Sequence, residues 1–441
     1  MQDENLFIKS CDRVMIFAVY LTAFFLPIAP AVIEVAFVLM LLPFLVKRVF
    51  IAFLKLRGLS GGKGFEFTKD IFLIVSGILK PVPGHLNKFI GLYILVVFIS
   101  ILSGQYFSVG LKGFVFKLLQ GAYTFFIIQE VITNRRKFFL MILILVASSF
   151  VVASNGIYQY LVRSDFIRMF NVYDGRVTST FKHSNDLGGY LVTIIPFLLG
   201  ATISFFRGKK ELKLGIKLDQ LVSRIINSKW FRVFLVFLLL SAITIWGLTY
   251  SRGAWIALVG AYSFILFRKP KVFALFIVIV TLFGALFIPK LLKERITNVT
   301  NDGLLDSSSR FIYWKSALAI IKDKPVLGTG FNSYSLSAKN YDIIWKGYPH
   351  NIYLHIAAET GLLGLAAFLA FLFSVFKIGR AAVSDELFFF LQSGFLTGFI
   401  ALAIHCFFDT GITSQQLDAL LWIIASCIVL IPKLSAKDNF S

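Results

Sequence analysis

The sequence predicts an all-α, polytopic membrane protein with about 12 transmembrane helices. Three observations lead there. Hydrophobic residues fill 58% of the 441 positions and charged residues only 15%, where soluble domains carry about 25% charged residues. Apolar runs long enough to cross about 30 Å of hydrocarbon recur along most of the chain. The net charge of +21 is concentrated in a few segments between those runs. This composition excludes a soluble enzyme, a disordered chain and a disulfide scaffold. The basic excess fits cytoplasmic loops beside anionic lipid, not nucleic acid. Cys11, Cys406 and Cys427 show neither metal spacing nor a disulfide framework.

The first apolar run, 13–30, leads directly into the second, 32–54, with no small-residue cleavage site, and reads as a retained signal-anchor. Further runs lie at 88–104, 113–130, 138–155, 187–206, 231–250, 253–267, 271–289, 351–376, 387–407 and 418–432. Segment 71–79 is too short to cross and reads as interfacial or re-entrant. Between the sixth and seventh spans, residues 207–230 repeat Leu214, Leu218, Leu221, Val222 and Ile225 at helical spacing among Lys213, Lys217, Arg224 and Lys229. That pattern predicts a basic amphipathic helix on the inner leaflet.

Basic residues set the orientation. With the N-terminus inside, the inner segments hold Lys55, Arg57, Arg135, Arg136, Lys137, Lys377, Arg380 and the 207–230 cluster, while the short outer loops hold only Lys112. Both termini are therefore expected inside. Two longer segments then face outward, 156–186 and 290–350, the second with short helices of its own. Long polar loops in a compact chain carry function.

Several candidate residues share that outer face. Arg252, in Ser251-Arg252-Gly253-Ala254-Trp255, sits at the hinge between two spans, where an arginine facing a polar cavity binds an anion. Gly253 is expected to let the backbone approach a ligand. Ser307-Ser308-Ser309-Arg310 begins a helix that ends before Pro325, so Arg310 and the helix start form a candidate phosphate site. His350 closes the long outer loop just before a span, where an imidazole can act as a general base. His355 and Glu359, four apart on that span, are expected to hydrogen-bond to each other, and Gly361 and Gly364 to serve helix packing. In 156–186, Arg176, Lys182 and His183 are further anion contacts, with Ser184 or Asn185 capping the next span, and Lys112 is another candidate. No carboxylate cluster and no D-x-D is visible, so metal-assisted binding of a nucleotide sugar has no support.

These residues bear a resemblance to a known group. His350-Asn351, nine residues, then Gly361-Leu362-Leu363-Gly364 match the pattern His-[Asn/Ser/Gln]-x9-G-x-x-[GTY] of the O-antigen ligase and polymerase superfamily of bacterial inner-membrane proteins. The Arg252 and Arg310 elements are similar too, and the likeness covers about 180–366. It implies a membrane-embedded, GT-C-like glycosyltransferase of lipopolysaccharide biosynthesis that uses no cofactor or metal. An undecaprenyl-pyrophosphate-linked glycan would be the donor and lipid A–core the acceptor. Arg252 and Arg310 would hold the pyrophosphate, with Arg176, Asn351, His183 and Lys112 as lesser contacts, and His350 would be the base. Direct displacement would invert the anomeric centre, and the active face would be periplasmic. The His350-Asn351 spacing favours a ligase over a polymerase that joins repeat units. A flippase or other transporter would show broken helices or charges within the spans, and repeated halves. Neither stands out in the sequence, where Glu34 alone is acidic deep in an early span and reads as a packing hydrogen bond.

Overall fold

The computed structural model describes residues 2–59, 84–172, 175–207, 224–267, 271–272, 274, 305–341 and 347–436. The amphipathic segment expected at 207–230 falls mostly outside these residues. So do the span at 271–289, the short run 71–79 and the start of the long outer loop.

The described residues are almost wholly helical, which keeps backbone polar groups paired where water is excluded. In chain order the helices are α1 Gln2–Phe25, α2 Pro30–Leu59, α3 Asn87–Ser103, α4 Phe107–Val131, α5 Arg135–Val162 and α6 Ser184–Arg207. Then come α7 Lys229–Leu248, α8 Arg252–Leu266, α9 Leu305–Asp323, α10 Ile352–Gly379, α11 Glu386–His405 and α12 Gln415–Ala436. Eight of them are long and apolar enough to cross a membrane: α2, α4, α5, α6, α7, α10, α11 and α12. α3 and α8 are shorter apolar helices, and α1 carries the first expected run. The chain is a multi-pass membrane protein. Eleven of the twelve expected runs are thus helices, and α9 supplies the extra helix expected in the outer segment.

Among the described helices α6 and α11 pack most closely, and glycine explains it. A Cβ on Gly200 would stand 2.4 Å from Phe390 O, one on Gly394 2.6 Å from Pro196 O, and one on Gly398 2.3 Å from Thr193 O. Small residues let backbones meet where lipid gives no hydrophobic drive to helix pairing. The pairing is antiparallel, so the start of α6 lies beside the end of α11. Gly189 accordingly faces the His405 ring, whose Cε1 and Nδ1 lie 3.3 Å from the Cβ it lacks.

Ion pairs collect at the opposite end of this bundle. Lys47 bridges Asp12 at 2.5 Å and Glu130 at 2.7 Å, and Arg48 also pairs with Glu130. Arg135 meets Asp385 at 3.0 Å, Arg207 lies 3.7 Å from Glu386, and Lys433 donates to Gln129 at 3.1 Å. The bundle therefore has a basic end, and the starts of α6, α10 and α12 lie at the other.

α10 is broken. Gly361 sits at φ 69°, ψ −178°, a conformation open in practice only to glycine. A Cβ there would stand 2.0 Å from Val326 O. The segment after α9 runs past the break and pairs with it. Thr329 N–H donates to Ala358 O at 3.0 Å, Gly330 N–H to Glu359 O at 2.8 Å, and Leu362 N–H to Pro325 O at 2.7 Å. Ser100 of α3 adds bonds to Leu327 O and Glu359 O. A break inside an apolar helix is tolerated where protein satisfies the freed groups. Two expectations change here. Gly361 serves this turn and close approach rather than helix–helix packing, and a broken helix does exist where the sequence showed none.

Polar side chains buried in α5 shape the loop that follows it. Gln159 Oε1 accepts from Thr178 N and Ser179 N at 2.9 and 2.8 Å. Asp165 accepts from the backbone of Ile167, Arg168 and Phe170, and Phe166 N donates to Asn155. Residues 164–172 and 175–179 are thereby held against the end of α5.

Candidate functional site

His350 lies where α10 begins. It takes a left-handed conformation at φ 46°, and Asn351 then caps the helix, its Oδ1 accepting from Tyr353 N at 3.0 Å and Leu354 N at 3.1 Å. Tyr250 is also left-handed, at φ 49°, two residues before Arg252 opens α8. Both candidate segments thus enter their helices through non-glycine residues in a sparsely populated region, a kind of strain that gathers at functional sites.

The partner of His350 is Asp409, in the turn after α11. His350 Nδ1 stands 3.4 Å from Asp409 Oδ1, at the long end of a hydrogen bond. The same oxygen accepts from Thr410 N at 2.7 Å. Burial alone would raise the Asp409 carboxyl, but the His350 hydrogen bond, the His405 and His350 charges and the Thr410 N–H more than offset it. The carboxyl is held below the usual carboxylate range. A carboxylate on Nδ1 fixes the ring and leaves Nε2 free to act as a base. His350 keeps 38% side-chain exposure, so that nitrogen has room for a ligand.

The antiparallel α6–α11 pair brings in the rest. Asp186, in the first turn of α6, reaches the same turn: its Oδ1 lies 3.5 Å from the Cβ that Gly411 lacks. His183 stands just before α6, where burial, Lys182 and His350 lower its affinity for a proton and Asp409 partly restores it. Arg176 spans two elements, donating from Nε to Thr249 O and from Nη2 to Asn185 Oδ1, both at 2.9 Å. It ties the start of α6 to the turn that precedes Arg252. Asn185 is therefore held by an arginine, and among the described residues no hydrogen bond from a backbone N–H to Ser184 Oγ is seen.

α8 and α9 close the group. Gly253 packs on Phe408, where a Cβ would lie 2.6 Å from Phe408 Cβ, so its small size admits a neighbouring side chain and not a ligand as expected. This contact puts Arg252 next to the Asp409 turn. Trp314 Nε1 donates to Pro349 O at 2.8 Å, which anchors α9 against the His350 segment. Arg310 lies four residues earlier on the same helix face, and it interacts electrostatically with His405. Ser307, Ser308 and Ser309 fall in the first turn of α9.

The structure thus gathers His350, Arg310, Arg252, Arg176 and His183 around one turn, at the end of the bundle away from the basic cluster. Lys112 does not join them. It lines another cavity, with Glu34 and Asp418. Asn351 is near, but its side-chain oxygen is committed to the helix cap. Sequence reasoning missed Asp409, His405 and Asp186. It expected no carboxylate cluster on this face; Asp186 and Asp409 lie at the same turn there. The available signal was His405-Cys406-Phe407-Phe408-Asp409, an imidazole and a carboxylate four apart where a span ends. Among the described residues no three His, Cys, Asp or Glu side chains are grouped to hold a metal ion.

Guanidinium groups and a carboxylate-backed imidazole thus share one end of a multi-pass helical bundle. Comparison with known proteins narrows this. Residues 234–369 match the O-antigen ligase family model, a region that includes Arg252, Arg310, His350 and the break in α10 at Gly361. The chain is 28% identical over 201 residues to a protein of Rickettsia typhi that carries the provisional name polysaccharide ligase. Proteins of the same provisional name in Rickettsia prowazekii and Rickettsia bellii are each 28% identical, over 201 and 191 residues. Each match covers 39–41% of this chain and 44–46% of the relative, so the chain aligns with somewhat under half the length of these proteins. Over residues 234–369 the chain is thus similar to the O-antigen ligase family.

Proposed function

We propose that the chain is a membrane glycosyltransferase of the O-antigen ligase type. It moves a glycan from an undecaprenyl-pyrophosphate carrier to a sugar hydroxyl of lipid A–core. The observation that carries this reading is the His350–Asp409 pair within a group of arginines from α8, α9 and the loop before α6.

The chemistry follows from that arrangement. Asp409 accepts a hydrogen bond from His350 Nδ1–H and stays ionised, so Nε2 takes the proton of the acceptor hydroxyl as its oxygen attacks the anomeric carbon. The bond from that carbon to the carrier oxygen breaks, and undecaprenyl pyrophosphate leaves with the electron pair. Attack opposite the leaving group inverts the anomeric centre. Arg252 and Arg310 offset the charge that grows on the pyrophosphate, in a site where fixed cations act more strongly than in water. Arg176 positions the turn before Arg252, and His183 borders the same space. The basic bundle end faces the cytoplasm by the positive-inside rule, which turns the site toward the periplasm of the inner membrane.

The test uses purified full-length protein with lipid-linked glycan, with and without lipid A–core. The reading predicts transfer to the core, dependent on acceptor and unchanged by chelator. Growth of the lipid-linked chain without acceptor would make the protein a polymerase, and loss of transfer with chelator would overturn the metal-free step.

A further inference from the structure

One face of α9 is apolar, basic and uncovered. Phe311, Lys315, Leu318 and Lys322 recur at i, i+4, i+7 and i+11, which puts them on a single stripe, with Ile312 beside it. Phe311, Ile312 and Leu318 are each more than half exposed, and both lysines are exposed. The opposite face is already used, because Ala317 and Ile320 pack with Tyr334, Ala338 and Ala358.

The place of α9 decides what the stripe meets. α3 starts at Asn87, which borders one small cavity with Gln129 and Lys433 of the basic end. Its other end therefore lies at the site's end of the bundle. Ser100, near that end, bonds to Leu327 O and Glu359 O beside the break in α10. From the break, residues 362–379 run about 27 Å at 1.5 Å per residue, close to the roughly 30 Å of hydrocarbon. The break thus marks the edge of the hydrocarbon.

α9 is pinned at this level twice. Pro325 O accepts from Leu362 N at the break. Trp314 Nε1 donates to Pro349 O, next to His350 and the turn that follows α11. A helix held to the ends of two spans lies across the bundle end, along the interface rather than out in water. Its stripe also runs on into the wall of the bundle. Val326 continues it by one more turn, and Leu362 and Leu363 follow on α10, each half exposed or more, on a helix that crosses the membrane.

We propose that this face of α9 docks into the leaflet at the site's end of the bundle. Phe311, Ile312 and Leu318 enter the boundary between headgroups and acyl chains, and Lys315 and Lys322 reach the phosphates of anionic headgroups. The lysine stems cover apolar surface while the ammonium groups stay at phosphate level. α9 carries Arg310, so the docked helix holds that guanidinium near the height of a membrane-borne pyrophosphate. That consequence rests on the function proposed above, whereas the docking itself does not.

Power-saturation EPR on the full-length protein tests it, in nanodiscs of phosphatidylglycerol and phosphatidylcholine. The three native cysteines are buried, so a nitroxide on Leu318→Cys reports on the stripe. Oxygen should reach this label better than a water-soluble nickel chelate does, at a depth of about 5–10 Å. A label on Asn340→Cys should read as water. That residue is exposed, in the turn packed on the other face of α9. Nanodiscs of phosphatidylcholine alone, or Lys315→Gln together with Lys322→Gln, should move the Leu318 label outward. Phe311→Cys is the second reporter if Leu318→Cys does not fold. Nickel access at the stripe equal to that at position 340 would overturn the proposal. So would shielding from both reagents, the mark of a protein partner or a second copy on this face, or a depth unmoved by lipid charge and by loss of both lysines.

Discussion

Which ring nitrogen of His350 carries the proton decides whether it can act as a base, and Asp409 decides that. With the carboxylate on Nδ1, Asp409→Asn should lower transfer about 10²-fold or more while donor binding persists, measured by initial rates and donor affinity on the same preparation. Arg252→Ala should instead weaken donor binding as well as rate, because it removes charge that the pyrophosphate meets in both ground and transition states. Asp409 also couples to pH. Its folded-state affinity for protons is depressed, so its stabilisation is complete above the unfolded carboxylate value of about 3.9 and is lost as pH falls below it. The gap in melting temperature between wild type and Asp409→Asn should therefore narrow as pH falls below about 4. At this scale the sequence showed His350, Arg252 and Arg310, because each sits in a local motif. It did not show Asp409, His405 or Asp186, whose meaning comes from a helix pairing that no local window contains.

Among the elements, α10 carries the most specific packing. Its break depends on Gly361, where a side chain meets both a forbidden backbone region and Val326 O at 2.0 Å. Gly361→Ala should cost about 2–3 kcal/mol or more and lower the melting temperature or the yield of folded protein. Gly91→Ala is the matched control. It lies in α3 with nothing within 4 Å of the added methyl, so its effect should stay within about 1 kcal/mol of wild type. Hydropathy located the helices because twenty-residue apolar runs are forced by bilayer thickness. It could not reveal the break, since Gly361 and Gly364 in an apolar run look the same whether they serve close packing or a turn. The His355–Glu359 bond was legible from i, i+4 spacing and is present at 3.1 Å. Glu34 likewise makes a packing bond, to Gln415.

At the scale of the whole molecule, paired cations among the described residues distinguish the two ends of the bundle. Lys47, Arg48, Arg135, Arg207 and Lys433 mark one, and the Asp409 turn marks the other. If the basic end is cytoplasmic, a membrane-impermeant maleimide should label Met169→Cys in spheroplasts and should not label Arg380→Cys until the membrane is opened. Both positions are exposed, and the three native cysteines are buried. The reverse pattern would put the site on the cytosolic side. Loop charges need no tertiary contact to be read, so an orientation can be expected from sequence, whereas the polar cavity between α2, α4, α10 and α12 draws on residues from 33 to 422. The central claim is that His350 takes the acceptor proton, and the transfer rate of His350→Ala measures it most directly. In reconstituted membranes with lipid-linked glycan and lipid A–core, the rate should fall about 10²–10⁴-fold, with the donor still bound and the protein still folded. Transfer at the wild-type rate would contradict the account.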